Sequence, residues 1–573
     1  MSTTTEHERK PIAAATGFGA LLDAVAGSHA RACAALVALA LLAFLPGFFQ
    51  VPPVDRDEAR FAQATKQMVE SGDYVDIRFQ DEVRYKKPVG IYWLQAGVVN
   101  AAVRLGVPEA QTTIWLYRIP SLLGAIGGVL LTYWTALAFV SRRAALLAAG
   151  MMACSILLGV EARLAKTDAV LLLTVLAAMG AMARVYLNAH RALGLAPGWL
   201  LPAIFWTALA AGILIKGPLI LLFTGLTAVT LMIADRSARW LLALRPLPGI
   251  VWMIALVLPW FIAIVSRAGD SFFTESLGHD MLSKVASSQE AHGAPPGYYL
   301  LLFWITFWPG AVLAGLAAPK IWESRREPGA RFLLAWLIPS WIVFEVVVTK
   351  LPHYVLPLYP AIAILCAGIL DLGILSKTRW MVRGTVGWFL FPLVIGIAGI
   401  AGLIMIGRQP GLLAWPFAAA AVIFGLFAWR LYDVDGAERA LLRGLAASVF
   451  VSIAVYAVIF PSLPVLFPSA LIAEALRDSN CPRPLVASTN YQEPSLVFLA
   501  GTQTRFTDGA GAAEFLRQGL CRFALVEARS ERSFVQRADA IGLRYASGPR
   551  IDGYNISSGR QVTIAIYRSE GAL

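Results

Sequence analysis

Apolar runs of roughly 17 to 23 residues recur along most of this chain, and each is long enough to cross the hydrocarbon core of a bilayer as a helix. In hydrocarbon every backbone N–H and C=O must be satisfied internally, which leaves helices and closed barrels as spanning structures. Barrel strands are shorter and alternate in polarity. These runs do not alternate, so the fold class is an α-helical polytopic membrane protein. Composition agrees: 58% of the 573 residues are hydrophobic and only 15% charged, against about 25% charged in soluble domains. The net charge of +12 comes without basic and aromatic residues interleaved in a soluble region. That argues against nucleic acid and for anionic membrane lipids as partners.

Thirteen spans are expected, near residues 31–50, 118–140, 144–160, 168–188, 199–216, 217–235, 249–266, 299–317, 332–349, 354–371, 384–406, 411–430 and 444–462. With this count the basic clusters Arg142/Arg143, Arg236/Arg239/Arg245, Lys320/Arg325/Arg326/Arg331, Lys377/Arg379/Arg383 and Arg430/Arg439/Arg443 share one side, as the positive-inside rule requires. The apolar stretch 89–103, bounded by Lys86/Lys87 and Arg104, is short for a crossing. Counting it as a span would strand the later basic clusters outside, so it reads as an interfacial or re-entrant helix.

Three regions follow. Residues 1–30 form a cytoplasmic tail without the short apolar core and small-residue cleavage site of a secretory signal. Residues 31–465 form the membrane domain, including a long external loop at 51–117 with amphipathic helices lying on the membrane. Residues 466–573 have the composition of a globular α/β domain, with β-like runs at 485–488, 523–526 and 562–567 and helix-like segments at 511–518 and 531–541. An odd number of spans places that domain outside, where Cys481 and Cys521 can pair. Cys33, Cys154 and Cys366 sit in apolar runs and read as packed thiols.

The chemistry-bearing residues sort by this topology. Asp55-Arg56-Asp57-Glu58-Ala59-Arg60 directly follows the first apolar run, and such charges must face water, a cavity or an ionic ligand. Tyr85, Lys86 and Lys87 lie in the same external loop. Glu161, Arg163, Lys166 and Asp168 fall in a second external turn, His279, Asp280 and Lys284 in a third, and Lys350, His353 and Tyr354 in a later one. Acids, bases and histidines on one membrane face fit transfer of a group from a lipid phosphate. Arg60, Lys87, Lys284 and Lys350 are candidates to clamp the phosphate as charge develops on it. The acids can accept a proton or hold a sugar.

Plainer readings stand beside these. Asp57 and Arg60 can be an ordinary pair opening a helix, Asp168 an N-cap, Lys86 and Lys87 snorkelling anchors, and His279 and His353 satisfied histidines. A lipid or sugar transporter is an alternative from a different class, but there is no repeat between the halves and the charges cluster on one face rather than mid-membrane.

Asp57-Glu58-Ala59-Arg60-Phe61-Ala62, then Ser71-Gly72-Asp73-Tyr74, then Tyr85-Lys86-Lys87-Pro88 with Tyr92-Trp93, resembles the membrane glycosyltransferases of the GT-C fold. The likeness is greatest to the transferases that add 4-amino-4-deoxy-L-arabinose to lipid A. Lys166-Thr167-Asp168 looks like that family's second acidic site, and Lys350-Leu351-Pro352-His353-Tyr354-Val355-Leu356-Pro357 like its late external turn. The resemblance implies a GT-C membrane domain with a C-terminal periplasmic α/β domain in a bacterial inner membrane, working as a monomer. It further implies an undecaprenyl-phosphate-linked sugar donor and a lipid A acceptor, joined on the periplasmic side by direct inverting displacement.

Carried onto this chain, Asp57 and Asp168 are the catalytic or sugar-binding acids. Arg60, Lys87 and Tyr354 contact the donor phosphate, with Lys284 as a helper. Asp55, Glu58, Tyr85, His279, Lys350 and His353 complete the substrate-binding candidates. His279, His353 and the acids are also possible ligands for a divalent metal ion, although no spacing specifies a metal site. Another polyprenyl-phosphate-sugar enzyme of the same fold, such as a protein O-mannosyltransferase, is the neighbouring alternative.

Overall fold

The computed structural model describes residues 18–190, 198–269, Phe272 and 293–570. A helix meets every expected span. Ten are single helices: His29–Phe44, Ile114–Ala136, Asp168–His190, Leu200–Lys216, Leu219–Asp235, Pro246–Ala268, Pro328–Val346, Tyr359–Asp371, Gly387–Met405 and Ala414–Arg430. Three are interrupted. The run at 144–160 divides into Arg142–Ala153 and Ile156–Glu161, and that at 299–317 divides into Tyr298–Thr306 and Gly310–Glu323 around Pro309, which has no N–H to continue the ladder. The last run is the Tyr432–Ser452 helix continued by a π-helical turn, Ile453–Ile459. Among the described residues, seven helices are long and apolar enough to cross a membrane, and four shorter apolar ones accompany them.

Asp168–His190 is, with Pro352–Asp371, among the most enclosed of the long helices. It packs against Ile114–Ala136 and Leu200–Lys216, and one hydrophobic cluster runs through these and most of the other helices up to Ile369. The turn Lys216-Gly217-Pro218 reverses the chain between two neighbours in this bundle. Gly217 has φ +69° and ψ −153°, a conformation that only glycine adopts without strain. Lys216 is thereby left as the last helical residue, beside the start of Asp168–His190.

The long loop after the first helix contains two helices, Asp57–Ser71 and Gly90–Arg104, and a short ribbon, Arg78–Phe79 with Glu82–Val83. Gly90–Arg104 buries Ile91, Tyr92, Gln95, Ala96 and Val99 and leaves the apolar Trp93 and Leu94 exposed. Asp57–Ser71 departs from the expectation of a helix resting on the membrane. Most of its residues are buried, because it lies between the helical bundle, which takes Phe61, Ala64 and Met68, and the C-terminal unit, which covers Ala62.

That unit is built on a five-stranded mixed sheet, in the order Arg505–Phe506, Leu485–Thr489, Arg522–Glu527, Arg560–Ser569, Tyr545–Asn555. The first three strands are parallel to one another and the last two pair antiparallel. Helices Gly509–Arg517 and Glu531–Ala540 pack on one face of the sheet. The helix Pro494–Ala500 leaves the sheet and inserts Phe498, wholly buried, among Ala62, Val99 and Tyr117 of the membrane domain. Burying that side chain contributes about 2–3 kcal/mol. Lys66 Nζ donates to Phe498 O at 2.9 Å, Gln63 Nε2 to Thr502 Oγ1 at 2.9 Å, and Gln80 Nε2 to Thr502 O at 3.0 Å.

Cys481 and Cys521 are joined by a disulfide, while Cys33, Cys154 and Cys366 are free. Titration of the denatured, unreduced protein with a thiol reagent is therefore expected to count three thiols, and five after reduction. Five before reduction would remove the bridge from this description.

Candidate functional site

The charged segment after the first helix is divided among different tasks. Glu58 is buried and forms a two-point ion pair with Arg118, Nε to Oε1 at 2.7 Å and Nη2 to Oε2 at 2.9 Å. Its carboxylate also accepts the backbone N–H of Val54 at 2.8 Å and of Ala165 at 2.9 Å. Arg118 directs its remaining N–H groups to Phe48 O, Val51 O and Pro52 O. With every donor of the guanidinium placed, Glu58 has no lone pair left for a substrate. It shapes the turn instead of binding substrate.

Asp55 also turns away from chemistry. Its Oδ1 accepts Ser495 N–H at 3.0 Å, where the Pro494–Ala500 helix begins. Burial, and then the nearby charge of Glu493, push its carboxyl up to about 7. Glu493 is held in turn by Asn555 Nδ2 at 2.6 Å and Ser557 Oγ at 3.0 Å, and Arg56 donates to Ser557 O. Asp55 is thus a docking point for the C-terminal unit.

Asp57 is the first residue of its helix and half-buried. Burial lowers the proton affinity of Lys166, but the carboxylates of Glu161, Asp168 and Asp57 more than reverse this. Asp57 therefore bears on the second acidic turn, about a hundred residues later in sequence. Arg60, one helical turn on, is half-buried, and its charge acts on Asp55.

The second turn is a buried cluster of five ionisable side chains. Lys216 Nζ donates to Asp168 Oδ1. Lys166 Nζ donates to Glu161 Oε1 at 3.1 Å and lies 3.9 Å from Asp168 Oδ2. His353 sits between the two acids, with Nδ1 3.6 Å from Glu161 Oε1 and Nε2 3.7 Å from Asp168 Oδ1. The second oxygen of Glu161, Oε2, is buried without a partner. Tyr354 forms one wall: its ring lies 5.5 Å from Lys216 Nζ and meets His353 edge-on at 5.2 Å. Lys87, whose Nζ donates to Lys86 O at 2.9 Å, is close enough for its charge to reach His353.

Among the residues expected from sequence, the fold thus gathers Asp57, Lys87, Asp168, His353 and Tyr354 at one end of the bundle. It places others elsewhere. Lys350 was a candidate phosphate clamp, but its buried ammonium donates to Phe344 O, Glu345 O and Val347 O, closing the end of the Pro328–Val346 helix. Tyr85 is buried, donates to Asp76 Oδ1 at 2.8 Å and packs against Phe272. His279 and Lys284 lie outside the described residues. Sequence reasoning overlooked Arg118 and Lys216. Both were visible as ionisable residues within apolar helices, which is itself a functional signal.

Glu161, Asp168 and His353 offer ligand atoms within 4.8 Å of one another, the spacing a divalent ion would need. The set does not fit one. Lys216 and Lys166 already neutralise the two carboxylates, and a dication placed among them would face two ammonium groups at contact distance. The cluster is better described as a neutral, hydrogen-bonded charge network that holds two cations and a histidine beside Asp57.

Comparison with known proteins agrees with this architecture. A family model described as dolichyl-phosphate-mannose-protein mannosyltransferase matches residues 34–269. The sequence is 28% identical over 423 residues to an undecaprenyl phosphate-alpha-4-amino-4-deoxy-L-arabinose arabinosyl transferase of Edwardsiella ictaluri (strain 93-146), covering 70% of each chain. It is 26% identical over 505 residues to the protein of the same description from Pseudomonas paraeruginosa (strain DSM 24068 / PA7), covering 87% of this chain and 86% of that one. The crystal structure of ArnT from Cupriavidus metallidurans bound to undecaprenyl phosphate superposes with a TM-score of 0.71, covering 94% of this chain and 98% of that one at 19% identity. This chain has the fold of that structure.

Two outcomes are expected in thermal unfolding of the detergent-solubilised protein. Lys216→Met leaves Asp168 short of its main partner and should cost about 3 kcal/mol, whereas Lys216→Met with Asp168→Asn should recover most of that; simple additivity would refute the coupling. Asp55 binds its proton more tightly in the folded state than its ordinary value of 3.8 allows. Its contribution is therefore full below that value and is lost as pH rises through about 7. Asp55→Asn keeps an acceptor for Ser495 and cannot ionise, so the variant should gain on the parent as pH is raised from acid to neutral, and parallel curves would contradict the assignment.

Proposed function

We propose that this chain transfers 4-amino-4-deoxy-L-arabinose from undecaprenyl phosphate to a phosphate of lipid A, on the periplasmic face of the bacterial inner membrane. The observation that carries the reading is the approach of Asp57, at the head of its helix, to the Lys166–Asp168–Lys216–His353 network. That juxtaposition brings acids and cations together at one end of the bundle, which supports a lipid-linked sugar phosphate as the substrate. The two relatives described above, similar over 70% and 87% of this chain, are transferases of this sugar from undecaprenyl phosphate, which supports the donor and the sugar.

The acceptor needs little activation. A phosphate monoester has a second pKa near 6 and is largely a dianion at neutral pH. Its oxygen attacks the anomeric carbon, the bond from that carbon to the donor phosphate oxygen breaks, and undecaprenyl phosphate departs with the electron pair. A single displacement inverts the anomeric configuration. The charge appearing on the leaving phosphate requires cations. Arg60 and Lys87 are assigned to it, with Tyr354 as a wall and Lys284 as a helper.

Asp57 has little proton to remove, so its role is to orient the sugar through the sugar's ammonium group. Asp168 is committed to Lys216 and Lys166 and acts through them: it keeps two ammonium groups in place in a region that would otherwise deprotonate or expel them. His353 fills the space between the acids and can donate one hydrogen bond at a time.

Mass spectrometry of lipid A from cells with and without the protein is expected to show the aminoarabinose adduct only in its presence. Modified protein with unmodified lipid A would favour a mannosyltransferase-like acceptor instead. With purified donor and lipid A, Asp57→Asn should lower turnover about 100-fold while donor binding stays intact. Near-normal turnover of that variant ends the role given to Asp57.

A further inference from the structure

At the opposite end of the bundle from the network, a cavity of about 720 Å³ opens where the Tyr359–Asp371 helix ends and the Tyr432–Ser452 helix begins. Its volume is in the range of ligand sites rather than of packing defects. Lys377, Arg379 and Arg383 line it, and among the described residues none of the three has an ion pair or side-chain hydrogen bond. The carboxylates on the same wall are largely committed elsewhere. Asp435 pairs with Arg439 and Arg443, and Glu438 pairs with Arg143 at 2.6 Å, which leaves Asp433 as the lining acid without an ion pair. Three free cations therefore face one free anion.

The surroundings identify the kind of anion. Leu370, Leu375, Val382 and Tyr432 form the apolar part of the lining. Around it, Leu372 is 69% exposed and Trp380 is 68% exposed, with Ile374 also exposed. Trp380 lies between Arg379 and Arg383 on the short helix Arg379–Arg383. A Trp flanked by Arg, beside exposed aliphatic side chains at the end of an apolar helix, is the pattern of a membrane interface. A soluble phosphate would use the cations alone. A lipid would use the cations for its head group and the exposed apolar collar for its chains.

We propose that this cavity seats the phosphate head group of an anionic membrane lipid from the leaflet opposite the catalytic network. The three cations contact the phosphate, and Trp380 and Leu372 lie against the acyl chains. A lipid held there would brace the junction between the Tyr359–Asp371 helix, which starts six residues after His353, and the last helix of the bundle.

The test uses the full-length protein in vesicles of phosphatidylcholine containing a photoreactive phosphatidylglycerol, with the crosslinked peptides mapped by mass spectrometry. Crosslinks are expected in residues 370–383 and 432–438. Replacing Lys377, Arg379 and Arg383 together by Gln should reduce them at least about tenfold. The same loss of charge at Arg239, Arg325 and Arg326 should leave them in place. Equal loss in both triple variants would reduce the effect to general surface charge and overturn the site. So would competition by inorganic phosphate at millimolar concentration, because it would show that the cations select a free ion. All six side chains are at least partly exposed, so both variants are expected to fold, which unchanged size-exclusion profiles verify.

Discussion

The buried Glu58–Arg118 pair is the interaction on which the catalytic end of this molecule depends. It joins four separate stretches of chain. Arg118 belongs to the Ile114–Ala136 helix and holds the carbonyls that follow the first helix, at Phe48, Val51 and Pro52. Glu58 belongs to the helix headed by Asp57 and holds Val54 on one side and Ala165 on the other. Ala165 immediately precedes Lys166-Thr167-Asp168, so a single carboxylate sets the distance between the two acidic turns. Breaking such a pair from one side typically costs about 3–5 kcal/mol, because the remaining charge stays buried. Geometry accounts for its tolerance here: every N–H and every carboxylate oxygen has a partner.

The second acidic turn follows a different logic. Two carboxylates and two ammonium groups balance in charge, and His353 fills the gap between them. Such a network keeps cations in a dry region without an external counter-ion, and it presents them, preorganised, to whatever anion enters beside Asp57. Preorganised charge is what stabilises a developing phosphate anion, since no reorientation is needed as the bond breaks. The C-terminal unit completes the arrangement. It grips the helix behind Asp57 through Phe498, Thr502 and the Asp55–Ser495 hydrogen bond, so a domain with no residue in the network still determines where the network's partner stands.

Much of this was legible in sequence because its causes are local. Apolar runs of bilayer length gave helices at each expected place, and short β-like runs at 485–488, 523–526 and 562–567 gave strands at Leu485–Thr489, Arg522–Glu527 and Arg560–Ser569. Cys481 and Cys521 could be paired from compartment alone. The site was legible in outline: Asp57, Lys87, Asp168, His353 and Tyr354 converge as their shared face suggested. The individual roles were less so. Lys350 and Glu58 look as available as Lys87 and Asp57 in a list of charged residues, yet one closes a helix end and the other is saturated by an arginine sixty residues away.

The sequence by itself determined which segments must be helical and buried in lipid or protein, and which turns between them carry the acids, lysines and histidines. These follow from hydrophobic length and from the cost of leaving backbone or charge unsatisfied in hydrocarbon. Tertiary structure alone decided how the charges are divided. Whether a carboxylate is free for substrate depends on which donors the fold brings within about 3 Å of it, and those donors come from distant segments: Arg118 for Glu58, Lys216 for Asp168, Ser495 for Asp55. Hydrogen bonding is short-ranged in space and indifferent to separation along the chain, so the three acids among the five charged residues at 55–60 part ways: Glu58 becomes a structural keystone and Asp55 a docking point, while Asp57 lies toward the second acidic turn.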